Sequence, residues 1–212
     1  MSTRREFMLT SASMASALAW FAPGRAIAQG VGNIVELNGD VLVNGRRLMP
    51  DGLIQTGDRV QSGPGSVVAF TIGRDAFQLR QNTDLTMTRG SSLFFVNGAR
   101  LLTGGLAAIF GRSDKPRLIT APTVTAGIRG TGCYVETRPE STYFCTCFGL
   151  ITLTASSGDK QTVTSSRHVA RRILGQAQNG RAIVDAPFEN HEDAEVDRLA
   201  LLVGQRSPWY QR

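Results

Sequence analysis

The stretch "VVAFTIGRDAFQLRQNTDLTMT", residues 67–88, decides the fold class. Three apolar or alternating runs are separated by two short polar turns, Gly73-Arg74-Asp75 and Asn82-Thr83-Asp84. Alternation with a period of two places every second side chain on one face, which is typical of a half-buried β-strand. Glycine and asparagine accept the positive φ angles of tight turns. The stretch therefore predicts three short strands joined by turns.

The same rhythm continues on both sides of this stretch. Short apolar runs at residues 34–37 and 41–43 precede it, and turn signals recur every few residues. These signals are Asn38-Gly39, Asn44-Gly45, Gly57-Asp58, Arg89-Gly90, Asn97-Gly98 and Gly104-Gly105. Many short strands at this spacing predict an all-β domain, either a sandwich or a β-solenoid-like arrangement.

A helical pattern occurs near the C-terminus. Val196, Leu199, Ala200 and Val203 follow the i, i+3, i+4, i+7 spacing of one helix face. A helix over about residues 192–203 is predicted, with Asn190 as its N-cap. We expect residues 156–212 to form a β extension and this helix, both packed on the same domain.

The N-terminus resembles an export leader. Arg4 and Arg5 precede a weakly apolar run, and Ala26-Ile27-Ala28 has the small-x-small pattern that signal peptidase reads. The paired arginines are similar to a twin-arginine leader, although an ordinary leader with two arginines is the alternative. We predict a signal peptide over residues 1–28, cleavage after Ala28 and a periplasmic mature protein. A membrane-spanning helix needs about 20 apolar residues, so none is predicted here.

The charge balance is mild. The whole chain carries a formal charge of +6, from 23 basic and 17 acidic residues. Removing the three arginines and one glutamate of residues 1–28 leaves +4. This excess is too small to indicate a nucleic-acid partner.

Cys145 and Cys147 are the first candidates for chemistry. They are two residues apart in an apolar stretch, so a strand would place both on one face, about 6.6 Å apart. A disulfide needs Cβ atoms about 3.8 Å apart, so these two should not pair with each other. The neighbouring Phe144, Thr146 and Phe148 supply no base that would lower a thiol pKa.

Cys133 precedes them on the strand before the turn Arg138-Pro139-Glu140-Ser141. A turn with an odd number of residues would put all three cysteines on one face. Three interpretations follow: packing as small hydrophobes, a cross-strand disulfide, or a three-thiolate metal cluster completed by His168 or His191. Packing is favoured, so no metal, cofactor or catalytic residue is assigned.

Several stretches together resemble the FecR domain, the β-rich extracytoplasmic domain of ferric-citrate-type regulators. They are residues 38–87, "ARLLTGGLAAIFG" at 99–111 and "ITAPTVTAGIRGTGCYVE" at 119–136. The last keeps the family's Arg-Gly-Thr at Arg129, Gly130 and Thr131. The resemblance covers residues 31–153, and we place the domain at 31–155. Regulators of this family usually carry an anti-sigma segment and one transmembrane helix, and neither is expected here.

The resemblance implies a stand-alone, non-enzymatic binding or sensing module. Its partner would be another envelope or membrane protein, and its small-molecule ligand stays unassigned. Two alternatives are a metal- or redox-active periplasmic protein using the three cysteines, and a structural protein that binds cell-wall polymer. The second would use the basic side chains Arg167, Arg171 and Arg172. The sequence offers no Ser-His-Asp set or paired carboxylates, so no enzyme activity is predicted.

Overall fold

The computed structural model describes residues 32–113 and 116–211. The predicted leader lies outside the described residues, and with it Arg4, Arg5, Ala26, Ala28 and the cleavage site. The described residues form one compact unit.

The described residues form fourteen β-strands and one α-helix. In chain order they are β1 (Ile34–Asn38), β2 (Val41–Val43), β3 (Arg46–Arg47), β4 (Arg59–Ser62), β5 (Val67–Ile72), β6 (Asp75–Leu79), β7 (Asp84–Arg89), β8 (Val96–Ile109), β9 (Arg117–Ala121), β10 (Val124–Arg138), β11 (Ser141–Ala155), β12 (Lys160–Ser165), β13 (Val169–Gln178), β14 (Arg181–Ala186) and α1 (Asp193–Leu202). The predicted all-β class with a short C-terminal helix is confirmed. The stretch that decides the class forms β5, β6 and β7.

All fourteen strands belong to one hydrogen-bonded network. Its main path runs β14-β13-β11-β10-β9-β8-β7-β4-β2-β3, with β1, β5, β6 and β12 attached at its side. Neighbouring strands are antiparallel, except that β8 and β9 run parallel. Most pairs join strands that are close in the chain, as expected for strands linked by short turns.

The three longest strands change neighbours partway along their length. β8 leaves β7 for β6, β10 leaves β9 for β8, and β11 leaves β13 for β12. A glycine with positive φ lies at each change: Gly104 (79°), Gly130 (60°) and Gly149 (94°). The register of β10 against β11 also shifts there, between Arg129 and Gly132. Such β-bulges bend a strand, so each long strand contributes to two parts of the network.

Two apolar clusters fill the domain. The larger cluster lies among the strands and contains Phe70, Phe77 and Phe110. The ring centroid of Phe77 lies 5.3 Å from that of Phe70 and 5.6 Å from that of Phe110. The smaller cluster joins the sheet to the helix, and includes Tyr134, Tyr143, Cys145, Cys147, Phe148, Val196, Leu199 and Ala200. Burial of such side chains stabilises the domain by roughly 1.5–3 kcal/mol each.

The helix α1 begins at Asp193 and buries Val196, Leu199 and Ala200, as the periodicity predicts. Its N-cap is Glu192, without a side-chain cap, and not the predicted Asn190. Asn190 instead takes a left-handed turn conformation with φ of 66°. Asp193 and Glu195 place negative charge in the first turn, where the helix dipole favours it.

In the part of the chain that the structure describes, no helix has the length and apolar character needed to cross a membrane.

Candidate metal centre

The turn between β10 and β11 separates Cys133 from the other two cysteines. Arg138 pairs with Ser141, so the turn has two residues, Pro139 and Glu140. With this even number, Cys133 pairs with Thr146, and Tyr134 pairs with Cys145. Directly opposed residues share a face, so Cys133 faces the larger cluster while Cys145 and Cys147 face the smaller one. The arrangement with all three cysteines on one face, which an odd number of turn residues would have given, therefore does not occur.

The structure instead brings both histidines to the remaining pair of thiols. His168 Nδ1 lies 3.7 Å from Cys145 Sγ, and His191 Nε2 lies 3.4 Å from Cys147 Sγ. The four possible ligand atoms all lie within 4.8 Å of one another. Within the described residues the three cysteines are free of disulfide bonds. The cluster thus has two sulfur and two nitrogen donors.

Each histidine is oriented by a second hydrogen bond on the far side of its ring. His168 Nε2 lies 2.5 Å from Asp193 Oδ1, and His191 Nδ1 lies 2.9 Å from the carbonyl oxygen of Glu189. A carbonyl oxygen can only accept, so His191 carries its proton on Nδ1. Its Nε2 atom then faces Cys147. In the same way, donation to Asp193 leaves the Nδ1 atom of His168 to face Cys145.

The backbone at His168 is held in an unusual conformation. His168 has φ of 44°, whereas the other four non-glycine residues with positive φ in the described part are all asparagines. Its N–H donates to the carbonyl oxygen of Cys147 at 2.9 Å, which fixes the turn between β12 and β13 against β11. Turn geometry alone would favour glycine or asparagine here. The presence of a histidine at position 168 is therefore explained by the contact that its side chain makes with Cys145 in this conformation.

Aromatic side chains surround the four donors. Tyr134 stacks on His191 with centroids 4.6 Å apart, and Phe188 lies 4.2 Å from His168 and 4.5 Å from His191. Trp209 lies 4.8 Å from His168, on the side of the C-terminal tail. Cys145 and Cys147 are fully buried and His191 is 5% exposed. The cluster is therefore largely shielded from water.

Protons are shared unevenly between the two thiols. The hydrogen bond from the Cys147 thiol lowers the pKa of Cys145 to about 4, helped by both imidazoles and opposed by burial. Burial, together with the nearby Cys145 thiolate, raises the pKa of Cys147 well above its usual value. Burial also lowers the pKa of His168, but its bonds to Cys145 and Asp193 outweigh this and the net pKa is raised. A base does act on Cys145, contrary to the expectation from its sequence neighbours.

The residues of the Arg-Gly-Thr motif lie at the bulge of β10. Gly130 has positive φ, Arg129 is exposed, and Thr131 is fully buried. Thr131 Oγ1 donates to the carbonyl oxygen of Leu150 at 3.2 Å, which ties the bulge to β11. The motif is thus placed where the strand bends, and the Cys/His cluster uses none of it.

The basic side chains next to His168 are ion-paired. Arg171 Nη1 lies 3.0 Å from Asp185 Oδ1, and Arg172 Nη2 lies 2.5 Å from Glu189 Oε1. Arg167 pairs with Asp193, the carboxylate that also holds His168. These acidic partners lie 14 to 26 residues away in the chain, so the sequence did not indicate that the basic charge would be offset.

Sequence reasoning missed the joint use of both histidines, together with Glu189 and Asp193. The sequence did carry a signal for which cysteines share a face. The turn residues Pro139 and Glu140 were identifiable, and their even number excludes Cys133 from the face that carries Cys145 and Cys147. The histidines had no such signal. They lie 23 and 44 residues from the cysteines they contact.

Fold and site together define an all-β domain with a buried two-cysteine, two-histidine cluster. No protein-family model and no curated protein sequence matches the chain. Among solved structures, it is similar to two crystal structures of a candidate anti-sigma factor from Parabacteroides distasonis, each 15% identical with a TM-score of 0.49. The similarity covers 69% and 71% of this chain, and 65% and 66% of those chains, just under two thirds of their length. A likeness of this size carries no functional argument, so function is inferred from the side chains of this chain.

Proposed function

We propose that this protein is a non-enzymatic binding or sensing module of the cell envelope. It acts in regulation through contacts with another envelope or membrane protein, after export to the periplasm with removal of residues 1–28. The resemblance of residues 31–153 to the FecR domain supports this role. The twin-arginine-like Arg4-Arg5 pair and the Ala26-Ile27-Ala28 pattern support the location.

Exposed apolar side chains on two loops that are joined by a hydrogen bond are the observation that carries the proposal. Phe94 is 74% exposed in the loop 90–95, and Leu93 beside it is also exposed. Met49 and Leu53 are exposed in the loop 48–58. Thr56 Oγ1 donates to the carbonyl oxygen of Ser92 at 3.4 Å, which joins the two loops. Single exposed apolar residues are common, but a group of them with an aromatic residue is typical of protein contact surfaces.

In-cell photo-crosslinking tests this surface. A benzophenone amino acid in place of Phe94 should give a discrete adduct with one envelope protein in intact cells. The matched control carries the same probe at Ser157, an exposed position in the turn between β11 and β12. The variant Phe94→Ser should weaken co-purification of the captured partner. Equal adducts at both positions, or none at Phe94, would contradict the proposal.

A redox role for all three cysteines has less support. Cys133 lies on the opposite face of β10 from Cys145 and Cys147, in the larger apolar cluster. Burial raises the pKa of its thiol, which keeps the sulfur protonated and unreactive.

Binding of an anionic cell-wall polymer through the basic side also has less support. Arg167, Arg171 and Arg172 each pair with a carboxylate of the same chain. A polymer would have to compete with these internal partners for the arginine charges.

A further inference from the structure

We propose that Cys145, Cys147, His168 and His191 form a four-coordinate Zn²⁺ site that fastens the segment before α1 to the sheet. This inference goes beyond the proposed function, and it does not depend on any protein partner.

The spacing of the donor atoms fits tetrahedral zinc. Bond lengths of about 2.3 Å to sulfur and about 2.0–2.1 Å to nitrogen give a tetrahedral S···N edge of about 3.6 Å. The two contacts in the structure, 3.7 Å for Cys145–His168 and 3.4 Å for Cys147–His191, lie on either side of that length. The other separations are within 4.8 Å, against a tetrahedral S···S edge of about 3.8 Å. The shortest ideal edge, N···N, is about 3.4 Å, so closing around an ion requires these separations to shorten by at most about 1.5 Å.

The donor set and its supporting bonds also fit this ion. Two thiolates with two imidazoles are a recurrent tetrahedral zinc set, and four protein ligands are typical of a structural site. Metal-bound histidines almost always donate their second ring N–H to a carboxylate or a backbone carbonyl. Both forms occur here, as His168 to Asp193 and His191 to Glu189. On binding, the thiol protons leave to solvent and the sulfurs coordinate as thiolates.

The ligands come from three separate parts of the chain. Both cysteines lie on β11, His168 lies in the turn between β12 and β13, and His191 lies two residues before α1. An ion would thus join ligands up to 46 residues apart in sequence, from Cys145 to His191. The strained φ of His168 also supports its role as a ligand, because a non-glycine residue in this conformation persists where its side chain has a specific use.

Metal titration of the full chain tests the site. Metal-free, reduced protein is titrated with Co²⁺ and then Zn²⁺ in the presence of a colorimetric chelator. We expect one equivalent of Co²⁺ to give the visible absorption of a tetrahedral site with thiolate charge transfer, and Zn²⁺ to displace it. The variants Cys147→Ser and His191→Gln should abolish this spectrum. Asp193→Asn, which removes a positioning carboxylate but no ligand, should weaken Zn²⁺ binding by about 10- to 100-fold.

The matched control is Cys133→Ser, a buried cysteine outside the cluster that should leave affinity and spectrum unchanged. The proposal is overturned if the wild-type chain fails to bind one equivalent with a tetrahedral spectrum. It is also overturned if Cys133→Ser loses as much affinity as Cys147→Ser, or if mass spectrometry finds Cys145 and Cys147 joined in the isolated protein. The wild-type titration decides the question even if a variant fails to fold. Crosslinking at Phe94 tests the partner separately.

Discussion

Arg117 donates a hydrogen bond to Asp75 inside the domain, where the two side chains are only 5% and 2% exposed. The guanidinium also lies over the rings of Phe95 and Phe110, at 4.8 and 5.5 Å from their centroids. Gly111 donates its backbone N–H to the same carboxylate at 2.8 Å. Burial raises the pKa of Asp75 although Arg117 and Gly111 favour its charged form. The charged form of the Asp75 carboxylate therefore depends on its hydrogen bonds to Arg117 and Gly111.

Removing the arginine should be strongly destabilising. The variant Arg117→Met leaves Asp75 as an unpaired buried carboxylate, so we expect the free energy of unfolding to fall by about 3–5 kcal/mol. Urea denaturation measures this loss. The control Arg47→Met breaks the pair with Asp40, whose side chains are mostly exposed, and should have a much smaller effect. The double variant Arg117→Met/Asp75→Asn should regain part of the loss. No recovery would mean that the buried charge is not the cause.

The bend of β11 depends on a glycine. Gly149 has φ of 94°, and a Cβ there would lie 2.9 Å from the carbonyl oxygen of Gly130. Gly158 has nearly the same φ, 96°, but open space around it. Gly158→Ala should therefore cost about 1–2 kcal/mol of stability from backbone strain alone. Gly149→Ala should cost a further 1–3 kcal/mol or so, because the backbone at Gly130 must move. Equal losses in thermal or urea unfolding would refute the role of this close approach.

Acid should weaken a surface ion pair between β4 and β7. Arg59 donates to both carboxylate oxygens of Asp84, at 2.9 and 2.5 Å, and these bonds lower the pKa of Asp84. A lowered folded-state pKa contributes stability that is present above the unfolded value of about 4 and is lost as pH falls through the folded value. Asp84→Asn should therefore be less stable than wild type at pH 7, and the difference should shrink below pH 4. Solvent screening keeps the effect small. A constant difference across this range would contradict the assignment, and Arg59→Gln should reproduce the pH dependence.

Export should depend on the paired arginines. The full chain should give a processed periplasmic form that begins at Gln29. Replacing Arg4 and Arg5 with lysine should leave the precursor in the cytoplasm, as measured by cell fractionation and N-terminal sequencing. Efficient export of this variant would remove the twin-arginine interpretation and retain the more general secretory one.

Local patterns in the chain predict several of the elements, mainly in its first half and near its C-terminus. Asparagine and glycine turns between alternating runs predict β1, β2, β5, β6 and β7, and each forms close to its predicted bounds. The apolar spacing around Leu199 predicts α1 and its buried face. Both predictions succeed because hairpin strands and amphipathic helices are governed by contacts between residues near in sequence.

The cluster follows only partly from local patterns. The two-residue spacing of Cys145 and Cys147 places both on one face, because side chains on a strand alternate with a period of two. That much the sequence determines by itself. Whether Cys133 joins them depends on the register of β10 against β11, where a shift of one residue moves every side chain to the other face. The arrival of His168 and His191 depends on how β13 and α1 pack on the sheet, and contacts between residues 23 and 44 apart in sequence leave no local pattern. Tertiary structure alone therefore decided which donors meet. The distance between the cysteine and histidine side chains is set by the burial of apolar faces that are far apart in sequence, and not by local spacing.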